Sequence, residues 1–173
     1  MEGFKVSTNE DQVTLTKEIG KETITVKFNV SLCVDSEAMS GSSSEQEKHR
    51  EESPAITCKP PFTVFIAKDK QNLVFECEFV QPYDEEELRS AGEHLADSFN
   101  IEEIYTFTDE VTEETYSVRG DIIDGELYDN LMEYLNERGI NGAFAQNLIR
   151  FATHYEHAQY ISLLQKMRAF VSS

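Results

Sequence analysis

Basic residues are scarce in this chain. Its 173 residues hold 15 Lys and Arg against 33 Asp and Glu, a formal charge of −18. Direct binding to a phosphate backbone needs a cationic face with interleaved aromatics, and none is present, so no direct nucleic-acid binding is expected. Long apolar runs are also missing; nothing approaches the ~20 residues that span a bilayer, so no membrane insertion is expected. Cysteine is sparse: Cys33, Cys58 and Cys77 are odd in number and lack CxxC spacing. That argues against a disulfide framework and for a reducing compartment. There is no secretory signal and no Arg-rich leader at the start. Phosphate-binding loops are absent, since Gly41-Ser42 lies in a polar stretch and Gly139 and Gly142 flank a helix–helix corner. No nucleophile elbow and no Ser/His/Asp or Cys/His signature occurs, so neither catalysis nor a cofactor is expected.

What is present is a patterned apolar fraction. Hydrophobic residues make up 39% and aromatics 10%, with 11 Phe and 7 Tyr. The carboxylates must therefore coat a folded chain, because burying them unpaired is too costly. Their field repels phosphate backbones and attracts Lys/Arg-rich segments, an attraction that added salt weakens.

The first two thirds read at period two. Phe4, Val6 and Thr8 alternate with polar residues, Val13, Leu15 and Ile19 share one face, and Ile24, Val26, Phe28, Val30 and Leu32 share another over 23–33. Further strands are expected at 61–68, 72–80, 101–108 and 114–119, with Leu73, Phe75, Cys77 and Phe79 inward and Val74 outward. Residues 35–57, rich in Ser, Glu and Lys, read as a long mobile loop. After Gly120 the period becomes helical. Asp121 or Asp124 can cap a helix with the stripe Leu127, Leu131, Tyr134 and Leu135, and Gly139 suits its C′ position. A second helix starts near Asn141 and carries Phe144, Leu148, Phe151, Tyr155, Leu163 and Met167 to about Phe170. One α+β domain over 1–173 is expected: about seven consecutive antiparallel strands followed by two C-terminal helices.

The run Glu126-Leu127-Tyr128-Asp129-Asn130-Leu131-Met132-Glu133-Tyr134-Leu135, with Glu137-Arg138-Gly139-Ile140, resembles the first C-terminal helix of the mitochondrial acidic matrix protein family. That family includes a receptor for the globular heads of a complement component. Phe144-Ala145, Glu156-His157, Tyr160-Ile161 and Phe170-Val171 continue the likeness, and residues 20–30 are similar to the family's third strand and the turn before it. The resemblance spans essentially the whole chain. It implies a twisted seven-stranded sheet flanked by helices, a ring-shaped homotrimer with an acidic face, and residence in the mitochondrial matrix with a leader removed. It also implies a non-enzymatic scaffold or chaperone that binds basic proteins and supports RNA processing or translation. Family members carry a helix before the first strand, whereas this chain opens almost directly on Phe4; whether that helix was removed with the leader or is lacking stays open.

The carboxylates expected to receive basic partners are Asp84, Glu85, Glu86, Glu87, Asp109, Glu110, Glu113 and Glu114, which cluster in strand-connecting loops. Phe144, Leu148, Phe151 and Tyr155 are the expected apolar contacts between subunits. Rival readings are a metal- or calcium-binding regulator and a direct RNA chaperone. His154, Glu156 and His157 lack the His-Glu-x-x-His order of a zinc helix, and the acidic loops lack a calcium-loop pattern, so no metal site is expected. Cys77, between Phe75 and Phe79, reads as a buried apolar group, and Cys58, beside Lys59, as the more exposed thiol.

Overall fold

The computed structural model describes residues 3–32, 57–80 and 99–172. Asp84–Glu87, Cys33 and all but the last residue of the expected loop at 35–57 lie outside the described residues. Seven strands form one sheet in chain order: β1 (Lys5–Asn9), β2 (Gln12–Ile19), β3 (Glu22–Asn29), β4 (Phe62–Lys68), β5 (Gln71–Phe79), β6 (Phe99–Phe107) and β7 (Ser117–Arg119). Every neighbouring pair is antiparallel. Two helices follow, α1 (Gly125–Glu137) and α2 (Gly142–Val171). This is the α+β order that the change of period predicts.

Register explains the core. Val13, Phe28, Phe62 and Cys77 pair across β2 to β5, and Leu15, Val26, Val64 and Phe75 form the next row. All eight are buried on one face of the sheet. The first turns of α2 lay Phe144, Ala145, Leu148, Ile149 and Ala152 over that face, joined by Leu135 and Ile140 from the end of α1. Phe62 sits among the rings of Phe79, Phe99 and Phe144, with centroids 5.5, 5.2 and 6.2 Å away. Each such side chain contributes roughly 1.5–3 kcal/mol when fully buried.

The helix ends follow from local chemistry. Asp124 accepts from the Glu126 amide and Asn141 from the Phe144 amide, satisfying donors that have no helical partner. Gly139, at φ 84°, closes α1: its amide donates to Asn136 and that of Ile140 to Leu135, while Leu135 and Ile140 pack in the core. The β1–β2 turn places Glu10, a non-glycine residue, at φ 53°. Its carbonyl accepts from the Tyr155 hydroxyl at 2.7 Å and the Gln159 amide at 2.9 Å, so α2 holds that strained turn.

Several expectations shift. The third strand stops at Asn29, and Val30–Leu32 form a 3-10 turn, because Asp11 gathers the Val30 amide and the side chains of Asn29 and Ser31. The last strand is shorter than 114–119. Val74 faces outward as expected yet is fully buried, held between Phe65 and Tyr105 in register. Leu127 leaves the expected apolar stripe and points to solvent, and Tyr128 turns toward the sheet instead.

Candidate protein-binding surface

Glu22, its side chain 13% exposed, meets two cations. The Arg138 guanidinium binds it through Nε at 2.9 Å and Nη2 at 3.2 Å, donates through Nη1 to the Tyr134 carbonyl, and stacks 3.3 Å from the Tyr134 ring centre. Lys68 stands 3.7 Å from Glu22. Hydrogen bonding from Arg138 holds the Glu22 carboxyl below the usual glutamate range, with the charges of Arg138 and Lys68 adding to it. The cluster ties the end of α1 to the ends of β3 and β4, and it engages the arginine that follows a helix with no basic residue of its own.

The carboxylates of that helix form a line. Glu126, Asp129, Glu133 and Glu137 are all exposed, spaced three, four and four residues apart along α1. Such spacing puts them on one side of the helix. Glu137 lies 3.6 Å from Arg138, which is already engaged with Glu22, and Glu133 accepts from Asn136. Among the described residues no ion pair involves Glu126, Asp129 or Glu133. Like charges at these spacings cost a few tenths of a kcal/mol per pair in an isolated helix, about 0.2–0.5 each. A fold that retains them carries a rigid acidic edge. Loop-based reasoning missed this stripe; the i, i+3, i+7, i+11 spacing was its signal.

Of the carboxylates expected to bind partners, Asp109, Glu110, Glu113 and Glu114 are exposed in the β6–β7 connection. Thr112 and Thr115 pinch a turn there, with Glu113 and Glu114 at its tip: the Thr112 amide donates to Thr115 Oγ1 and the Thr115 amide to the Thr112 carbonyl. Asp84, Glu85, Glu86 and Glu87 fall outside the described residues.

Phe144, Leu148, Phe151 and Tyr155 are the residues expected between subunits. Phe144 and Leu148 are buried in the chain's own core, and Phe151 and Tyr155 are half-buried against it. The apolar surface that α2 offers outward lies further along: Tyr160, Leu163, Leu164, Met167 and Phe170 are exposed at helical spacing, Phe170 by 83%. The sequence pattern showed one long apolar stripe and could not tell where the sheet beneath it ended.

His154 and His157 are both exposed, and among the described residues no group of three or more His, Cys, Asp or Glu is arranged to hold a metal. Burial, with Glu102 and Glu76 nearby, pushes the Cys77 thiol far up, so it stays protonated and unreactive. Cys58 is not an exposed thiol: it is 2% exposed and disulfide-bonded, which corrects the expectation of a chain without disulfides. Its amide donates to Thr153 of α2 at 2.9 Å, an anchorage 95 residues away in sequence that local reading could not supply. Among the described residues, no helix is long and apolar enough to cross a membrane.

A seven-stranded antiparallel meander followed by two C-terminal helices defines one structural class. Two solved structures share it: a Leishmania major protein described as a homologue of human p32 (TM-score 0.67, 15% identity, 98% of this chain and 82% of that one) and the Trypanosoma brucei p22 protein (TM-score 0.67, 18% identity, 99% and 83%). Sequence comparison places residues 1–171 in the family MAM33, mitochondrial glycoprotein, and the chain belongs to that family. It is 37% identical over 177 residues to conserved regulator of innate immunity protein 3 of Caenorhabditis elegans and 32% identical over 181 to the human mitochondrial complement component 1 Q subcomponent-binding protein. It spans 70% of the nematode relative's length and 62% of the human one's, while those matches cover 98% and 99% of this chain. The family is described as mitochondrial, and so is the human relative by name.

Proposed function

We propose that this chain is a non-enzymatic acidic scaffold of the mitochondrial matrix that captures basic proteins and, through them, supports RNA processing or translation. The observation that carries this reading is the line of uncompensated carboxylates on α1, set on a chain of formal charge −18. A rigid row of anions is complementary to a Lys/Arg-rich segment and repels RNA, so any influence on RNA passes through a protein. The human relative's name describes a protein-binding protein, which supports the same class.

The scaffold is proposed to act as a homotrimer, which triples the formal charge. A ring so charged needs apolar contacts to outweigh its repulsion, and the exposed stripe from Tyr160 to Phe170 on α2 supplies them, in place of the buried Phe144 and Leu148. Acidic residues of the β6–β7 connection extend the capturing surface.

Affinity capture from mitochondrial extract, with and without nuclease and across a salt series, tests the function. The expected result is a set of basic proteins that survives nuclease and is lost at raised salt. Capture that vanishes with nuclease would favour direct RNA binding and overturn the reading, as would capture indifferent to salt.

A further inference from the structure

We propose that two clefts on either side of Asp129 are seats for arginine side chains of a basic partner protein. This rests on the reading of the chain as a binder of basic proteins, and it names the side chain recognised and the place that takes it. The first cleft, about 330 Å³, lies where α1, the start of β6 and the start of α2 meet. Phe99 and Ile140, both buried, and the half-buried Met132 form its base. Asp129 and Glu133, both exposed, stand at its rim. They are one helical turn apart, about 5–6 Å between Cβ atoms, so both can reach one cation.

The second cleft, about 390 Å³, lies between β6, the β7–α1 connection and α1. Its base is the buried Ile101 with the half-buried Ile123 and Tyr128, and its exposed rim is Glu102, Asp121 and the same Asp129. Because Asp129 lines both, the clefts are neighbours in space. Gly120 is wedged between β6 and α1: a Cβ added there would fall 1.8 Å from the Ile101 carbonyl oxygen and 3.6 Å from the Tyr128 ring. The Ile101 amide donates to the Tyr128 hydroxyl at 3.0 Å, so the base of this cleft is held in place before any partner arrives.

Charge and shape select the occupant. No Lys or Arg lines either cleft. Among the described residues Glu102, Asp129 and Glu133 make no ion pair, while Asp121 is paired with Arg119 at 2.5 Å. The starts of α2 and α1 border the first and second cleft, through Gly142 and Gly125. A helix start carries about half a positive charge, less than the carboxylates beside it supply. An apolar base beneath an acidic rim suits a side chain with an aliphatic stem and a cationic head. Arginine fits better than lysine, because its planar guanidinium meets two carboxylates, stacks on a ring and is less strongly hydrated. The chain uses the same mode internally, where Arg138 binds Glu22 and lies 3.3 Å from the centre of the Tyr134 ring.

Three synthetic peptides of equal charge, carried on arginine, on lysine or on a guanidino side chain with a single methylene, are titrated into the full chain at low salt and followed by fluorescence anisotropy. The intact chain is expected to bind the arginine peptide about tenfold more tightly than the short-stemmed one, with the lysine peptide between them. Asp129→Asn with Glu133→Gln, its fold checked by circular dichroism, is expected to bind all three alike. Glu18→Gln with Glu78→Gln removes the same charge from exposed positions on β2 and β5 that line neither cleft, and is expected to keep the order. Three peptides bound alike by the intact chain, an order that survives in the Asp129 and Glu133 variant, or one lost in the Glu18 and Glu78 variant overturns the inference while leaving capture of basic proteins intact. Binding of none of the three overturns both.

Discussion

Glu22 and Arg138 are separated by 116 residues, and their pairing decides how the last turn of α1 meets the sheet. Because the Glu22 carboxyl is held below its ordinary range in the folded chain, it contributes stability that is complete above that range. The contribution is lost as pH falls through the lowered folded value. The melting temperature of the wild type is therefore expected to drop across acidic pH more steeply than that of Glu22→Gln, and parallel curves would contradict the assignment. Both side chains are only 13–14% exposed. Arg138→Ala, which leaves Glu22 with only the more exposed Lys68, is expected to cost about 1.5–3 kcal/mol by denaturant melts at neutral pH. Neither partner announces this pairing in sequence, since Glu22 sits in an exposed-looking hairpin and Arg138 reads as a helix-end cation.

Elements were more legible than contacts between them. Strict alternation over Ile24, Val26 and Phe28 marks a half-buried strand, and Gly139 marks a helix end because few other residues accept φ 84°. The alternation stopped being informative where tertiary bonds intervened, as at Asn29, whose link to Asp11 turns the chain out of the sheet. The acidic line of α1 is present in the spacing of Glu126, Asp129, Glu133 and Glu137, whereas half of the loop carboxylates expected to bind partners fall outside the described residues. Gly120 offers a test at this scale. Gly120→Ala must push β6 and α1 apart, with an expected loss of about 1–3 kcal/mol or more, whereas Gly125→Ala, whose added Cβ meets nothing within 4 Å, should be close to neutral or stabilising. Equal effects in the two variants would show that the wedge is not a constraint.

At the level of the whole molecule, charge and apolar surface pull in opposite directions. Sedimentation of the wild type is expected to show a trimer, and Leu163→Asp with Met167→Asp to show monomer with native circular dichroism, because those side chains are already exposed in the single chain. A trimer that survives the double substitution would move the subunit contacts elsewhere. The same logic bears on Phe144 and Leu148, expected between subunits and buried within the single chain: a helical stripe of constant apolar character runs from position 144 to 170. Only the position of the sheet divides it into a part that the chain buries and a part that it leaves exposed.

Period, caps and turn residues are local properties, so the amino-acid sequence by itself determined the seven strands, the two helices, their order and the acidic character of the chain. The tertiary structure decided the pairing of Glu22 with Arg138, the burial of Val74 and Cys58, the outward line of carboxylates and the division of the α2 stripe. Each of these depends on what residues distant in the chain place alongside. Apolar or charged character states what a side chain favours, and only the packed fold states what is there to meet it.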